Sequence, residues 1–138
     1  MSSDRLCFKL GLAARKLQKY YNHQYSALGI TAAQSLVLFS LLRKDGQNFK
    51  DIAEEVKLDS SAITGLVDRL EKIELVRRGV DPNDRRAICI YLTNQGRDIA
   101  ERAIKIADKT NQKLRSRGNK EQQAFLENFL DNIGELLG

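Results

Sequence analysis

The sequence predicts a mainly helical chain with one small β-hairpin, an α+β fold. Three observations carry that expectation. Proline occurs once, at Pro82, so long stretches are free to run as helix. Apolar residues recur at three- and four-residue spacing across most of the chain, the signature of amphipathic helices. Only between Leu75 and Leu92 does the period fall to two, on either side of the charged stretch VDPNDRR.

The first helix is expected from Arg5 to Leu28, on a stripe of Leu6, Leu10, Ala13 or Ala14, Leu17, Tyr20 or Tyr21, and Leu28. Gly29 supplies a stop, because glycine enters the left-handed conformation without steric cost. Thr31-Ala32-Ala33-Gln34 then fits a capping box, in which Thr31 accepts from the amide of Gln34 and the Gln34 side chain reaches back. Ser35 stands where a hydrophobic staple would need an apolar partner for Ile30. This second helix runs to about Arg43, burying Leu36, Val37, Phe39 and Leu41, and ends in Lys44-Asp45-Gly46.

Phe49, Ile52, Ala53 and Val56 give a short helix at i, i+3, i+4 and i+7. After Lys57-Leu58-Asp59 another runs from about Ser60 to Ile73, with a cap at Ser60 or Ser61. Ala62, Ile63, Leu66, Val67, Leu70 and Ile73 form its buried face, and Ser61, Thr64, Gly65 and Asp68 the outer one. Leu75-Val76-Arg77-Arg78 begins a strand and Ala87–Leu92 returns, with Ile88, Ile90 and Leu92 on one face and Cys89 and Tyr91 on the other. Two short helices joined by a tight turn and followed by a hairpin make a winged helix-turn-helix. Thr93 caps a long helix through about Arg117, with Ile99, Ala103, Ile106 or Ala107, Thr110 and Leu114 on one stripe. Arg115–Asn119 breaks it. A last helix, Glu121–Leu137, carries Phe125, Leu126, Phe129, Leu130, Ile133, Leu136 and Leu137.

A chain of 138 residues suits one domain. No run of ~18 apolar residues exists to span a membrane. The N-terminal stretch MSSDRLCFKLG lacks the apolar core of a secretory signal, so a cytoplasmic protein is expected. Cys7 and Cys89 lie far apart and His23 is the single histidine, which argues against structural zinc and a disulfide framework. There is no nucleophile elbow and no phosphate-cradling glycine loop. No catalytic residue, metal or cofactor is therefore assigned. A net charge of +5 and a pI near 9.3 suit nucleic acid without proving it, so placement has to decide.

Placement favours DNA. Ser60, Ser61 and Thr64 are short enough to let a helix backbone approach a major groove, and hydroxyls can bond base edges or phosphates. Arg69 flanks them. At the hairpin tip, Asp84 stands two residues before Arg86, close enough to hold its guanidinium extended towards a narrow, negative minor groove, with Arg85 beside it. Arg77 and Arg78 at the hairpin base add candidate phosphate contacts. The competing explanation is a solvated polar face, and a further alternative is a winged-helix protein-interaction module that binds no DNA.

The stretches ITAAQSLVL, DIAEEVKLDSSAITGLVDRLEKIELVRR and DPNDRRAICIYLTNQG resemble the MarR family of transcription regulators over essentially the whole chain. The most specific piece is D-P-x-D-R-R, then a strand ending in Leu-Thr, then x-x-Gly. The resemblance implies a single domain over 1–138, with a DNA-binding region at 31–93 and dimerisation helices at 1–30 and 94–138. It implies a homodimer on a pseudo-palindromic duplex operator, usually a repressor, released by a small phenolic or aromatic effector near Arg15, Tyr20 and His23. One departure stands out: the family usually has Gly where this chain has Glu74. A narrower resemblance, Leu6-Cys7-Phe8, is to the organic-peroxide sensors of the family. One of their two supporting tyrosines matches Tyr21, and the other falls on Gly11.

Overall fold

A computed structural model describes residues 4–138; residues 1–3, which open the expected N-terminal segment 1–30, lie outside it. The chain forms two compact units, Met1–Ile104 and Lys105–Gly138.

In the first unit, α1 (Leu6–Tyr25) runs into a 3-10 turn at Ser26–Leu28 that ends at Gly29, in the left-handed conformation at φ 76°. The capping box then starts α2 (Ala32–Arg43). Thr31 Oγ1 accepts from the Gln34 amide at 3.1 Å, and Gln34 Oε1 accepts from the Thr31 amide at 2.9 Å. Asn22 Oδ1 accepts from the Ala32 amide at 2.7 Å, tying the two helices together.

A two-residue strand, β1 (Gln47–Asn48), follows, then α3 (Phe49–Val56), α4 (Ser60–Lys72), β2 (Val76–Asp81), β3 (Asp84–Leu92) and α5 (Asn94–Arg115). The sheet is antiparallel in the order β1-β3-β2, with Gln47 opposite Ile90 and Val76 opposite Leu92. β1 is too short to leave a periodic trace in the sequence. Its anchor is the buried Gln47 side chain, which donates at the end of α2 to the carbonyls of Lys44 (2.6 Å) and Ser40 (2.8 Å), the latter also accepting from the Lys44 amide.

The core gathers Val37, Leu38 and Leu41 of α2, Ile52 of α3, Ile63, Val67 and Leu70 of α4, and Ile90 of β3, all fully buried. Three expected core positions are corrected. Leu36 is 39% exposed and Phe39 only half-buried, because α2 turns Leu38 inward and places Leu36 and Phe39 on the side away from it. Ile73 is 42% exposed, because α4 ends at Lys72 and the helical phase is lost one residue earlier than expected. Ile88, on the same face as the buried Ile90 and Leu92, is itself exposed because it lies at the outer end of the ladder, opposite Val80. The α4 cap is also corrected. It is Asp59, whose carboxylate accepts from the Ala62 amide at 2.8 Å, not Ser60 or Ser61.

The second unit contains α6 (Lys120–Asp131) and α7 (Ile133–Leu137). The expected last helix is broken at Asn132, which stands at φ −105° and ψ 9° with its side chain bonded back to the Asn128 carbonyl at 2.9 Å. Asn119 and Gln122 form a second capping box, and Arg115 pairs with Glu127. Phe125, Leu126, Leu130, Leu136 and Leu137 are all exposed, as is Leu114, the last member of the α5 stripe.

The tightest joint of the first unit lies where α4, β2 and α5 meet. Leu75 O accepts from the Thr93 amide at 3.1 Å, Glu74 O accepts from the Thr93 hydroxyl at 2.7 Å, and Thr93 Oγ1 caps α5 by accepting from the Gly96 amide at 2.9 Å. Glu74 sits at φ 62°. A Cβ on Gly96 would fall 1.8 Å from Leu75 O, so the glycine is a packing requirement. Two substitutions should therefore move stability in opposite directions in urea titrations. Gly96→Ala should destabilise by about 3 kcal/mol through overpacking against fixed backbone. Glu74→Gly should stabilise by about 1 kcal/mol by relieving the left-handed strain.

An acid-sensitive contact joins α2 to α3. Hydrogen bonding from Arg43, with a smaller contribution from the Ser40 hydroxyl and against partial burial, holds the Glu55 carboxyl below its usual range. A depressed folded value means that the contact contributes fully above the ordinary carboxylate range and is lost as pH falls through the folded value. The urea midpoint should thus drop between neutral pH and the region below pH ~4 more in the parent than in Glu55→Gln.

Candidate nucleic-acid interface

The turn between α3 and α4 is set by Lys57, left-handed at φ 60°, and by the Asp59 cap. Hydrogen bonds from the Ala62 amide and then from the Ser61 hydroxyl hold the Asp59 carboxyl low, so the cap is charged. This fixes the outer face of α4. Ser61 Oγ donates to Asp59 at 2.8 Å and Thr64 Oγ1 donates to the Ser60 carbonyl at 2.9 Å. Both hydroxyl protons are thus engaged inside the helix, and both side chains remain exposed with oxygen lone pairs free to accept. Ser60 and Arg69 are exposed on the same helix.

The structure divides the hairpin arginines into two kinds. Arg78 turns towards the helices: it pairs with Asp68, lies 3.5 Å from Glu71, and sits 5.4 Å from the Phe49 ring centroid. It clamps β2 onto α4. Arg77 lies over the Tyr91 ring at 4.6 Å. That ring fills the space between two glycines, since a Cβ on Gly46 or Gly79 would come within 2.8 or 2.9 Å of it. Gly79 interrupting a strand was the sequence signal for this close approach.

Arg85 and Arg86 are presented differently. The expected turn spanned Asp81–Arg86, but the actual turn is Pro82-Asn83, with Asp81 Oδ1 accepting from the Asn83 amide at 2.9 Å. Asp81 pairs with Asp84 while Val80 pairs with Ile88, so Arg85, Arg86 and Ala87 have no partner on β2 and form a bulge. Arg86 is 97% exposed. Asp84 Oδ1 accepts its amide at 3.0 Å and lies 3.8 Å from its Nε, so the carboxylate braces the backbone and the guanidinium together.

The remaining candidates lie on α1. Arg15, Tyr20 and His23 are exposed there. Tyr20 meets Tyr21 edge-on at 5.5 Å, and Tyr21 stacks on Tyr25 at 5.4 Å. Tyr25 is buried, its hydroxyl pushed up to about 12 chiefly by that burial. Cys7 is exposed, and fourteen helical steps separate it from Tyr21, roughly 21 Å along the axis, so a single chain does not bring the two together. Cys89 is a buried thiol raised first by burial and then by Asp81, which makes it a poor nucleophile. Among the described residues no cluster of three or more potential metal ligands occurs.

Known proteins share both the sequence and the shape. The MarR family model matches residues 30–88. The HTH-type transcriptional regulator MgrA of Staphylococcus aureus is 30% identical over 107 residues, 77% of this chain and 73% of its own. The organic hydroperoxide resistance transcriptional regulator of Bacillus subtilis is 32% identical over 103 residues, 75% and 70% of the two chains. Among solved structures, the transcriptional repressor CouR bound to a 23-mer DNA duplex superimposes with a TM-score of 0.81 at 27% identity, over 96% of this chain and 94% of that one. The PcaV regulator of Streptomyces coelicolor, in complex with its natural ligand, gives 0.77 at 25% identity over 97% of each. A three-stranded wing packed on a helix-turn-helix, with relatives of this length and identity, leads to one assignment: the chain belongs to the MarR family of winged helix-turn-helix transcriptional regulators.

Proposed function

We propose that the chain is a homodimeric repressor that binds a pseudo-palindromic operator through α4 and the wing. The observation that carries this reading is the bulge on β3, which holds Arg85 and a braced, almost fully exposed Arg86 beyond the core, on the hairpin that Arg78 locks to α4. Ser60, Ser61 and Thr64 meet the major groove. With their protons committed within the helix, Ser61 and Thr64 accept from base amino groups. Arg69 and Arg85 meet phosphate, Arg86 enters the minor groove, and Asp84 orients it. Arg77 and Arg78 contribute by holding the wing, with whatever part of each guanidinium faces outward adding to the cationic surface.

Within one domain, 1–138, residues 31–93 read DNA and the flanking segments 1–30 and 94–138 dimerise. The uncovered apolar side chains of α1 (Leu6, Phe8, Leu17) and of α6 and α7 support that division, since such faces are buried in a partner when a stable dimer forms. A small phenolic or aromatic effector, bound near Arg15, Tyr20 and His23, favours a dimer whose reading helices no longer match successive major grooves. It acts only through unequal affinity for the two dimer shapes. No cofactor enters this reading.

The DNA contact is tested by salt. Affinity for a duplex selected from a random pool should fall steeply with log salt, and Arg86→Ala should weaken binding and lower the slope by about one. A selected inverted repeat supports the dimer. Binding that stays flat in salt for every duplex would instead favour a protein-interaction module.

A second reading is favoured by the exposure of Cys7 and by the hydroperoxide-resistance regulator among the relatives. Attack of the Cys7 thiolate on an organic hydroperoxide forms an S–O bond, breaks the O–O bond, and yields a sulfenic acid and an alcohol. Operator affinity should then drop on hydroperoxide treatment in the parent and persist in Cys7→Ser. Equal loss in both would remove Cys7 from the mechanism.

A further inference from the structure

The last regular rung of the hairpin is apolar on both strands. Val80 of β2 lies directly opposite Ile88 of β3, and they are 58% and 49% exposed. Strand alternation puts the pair on the same face as the rung two residues back, Arg78 opposite Ile90. On that rung Ile90 is buried and Arg78 reaches α4 to pair with Asp68. Val80 and Ile88 therefore continue the helix-facing side of the wing past the point where α4 covers it. On their other side the Arg85-Arg86 bulge begins at once. Two β-branched side chains thus lie between the rung that Arg78 ties to α4 and the arginines of the bulge.

We propose that Val80 and Ile88 pack against the deoxyribose rim of the operator strand that crosses between the major groove read by α4 and the minor groove entered by Arg86. This inference rests on the DNA-binding reading and names a contact that reading leaves open. The occupant follows from charge and geometry. A phosphodiester strand carries its anionic oxygens outward and presents apolar sugar carbons between them, and a surface matching it needs cations spaced by apolar contacts. Arg85 and Arg86 on the bulge supply cations immediately beyond the pair, and the uncharged rung lies between them and the rung of Arg78. Sugar contacts of this kind fix register and orientation on the duplex, and they report groove shape rather than base identity.

The test uses the full-length chain and a duplex recovered by selection. Val80→Thr with Ile88→Thr keeps β-branching and strand propensity while removing apolar surface, so circular dichroism and the thermal midpoint should stay near those of the parent. Operator affinity should fall about tenfold with the salt slope unchanged, because no phosphate contact is lost. Arg86→Ala, measured alongside, should lower the slope. Val80→Ile, which adds apolar area, should bind at least as well as the parent. Salt-dependent binding of the parent with no loss in the double variant would overturn this inference alone, as would a double variant whose sedimentation shows a changed assembly mass. Salt-independent binding of the parent would overturn it together with the DNA reading.

Discussion

The arrangement of the reading elements depends on a few backbone atoms around Leu75. Its amide bonds the Leu70 carbonyl and closes α4, while its carbonyl accepts from Thr93 and meets the α-carbon of Gly96 at close range. The end of one helix, the base of the wing and the start of α5 are thereby fixed within one residue of each other. Asp45 strengthens the same corner, accepting the Leu92 amide at 2.9 Å while facing Arg97 at 3.5 Å. Glu74 in a left-handed conformation stores strain at the same place, which makes the corner dependent on the packing around it.

Charge is used in two ways within a few residues. Arg77 and Arg78 look equivalent to Arg85 and Arg86 in composition. The inner pair is held by an aromatic face, two carboxylates and Phe49, and it determines where the wing lies. The outer pair is freed by a break in strand register. Solvent screening makes each exposed ion pair worth little to stability. Their value is geometric: they orient side chains that a uniform hairpin would scatter.

The boundaries of the helices up to Lys72 were largely legible because their causes are local. Gly29, the Thr31–Gln34 capping box and the i, i+3, i+4, i+7 pattern at Phe49–Val56 each act within a turn of helix, and each is found where the sequence puts it. The left-handed position at Glu74 was also foreseeable, from a family pattern that places glycine there. What failed had distant causes. Leu36 and Phe39 are as apolar as Leu38, and only the placement of α3 and α4 decides which of them is buried. β1 exists because Gln47 finds the carbonyls of Ser40 and Lys44.

By itself the sequence determined the order and type of the elements, the family, and the set of polar residues from which an interface could be built. Tertiary structure alone decided which of those residues face outward. Helix periods and caps are written in residues three or four apart, whereas the fate of an arginine or a serine hydroxyl depends on an acceptor or a ring brought in by another segment. Arg78 meets Asp68 across ten residues and Thr93 meets Glu74 across nineteen, separations at which no local pattern carries information.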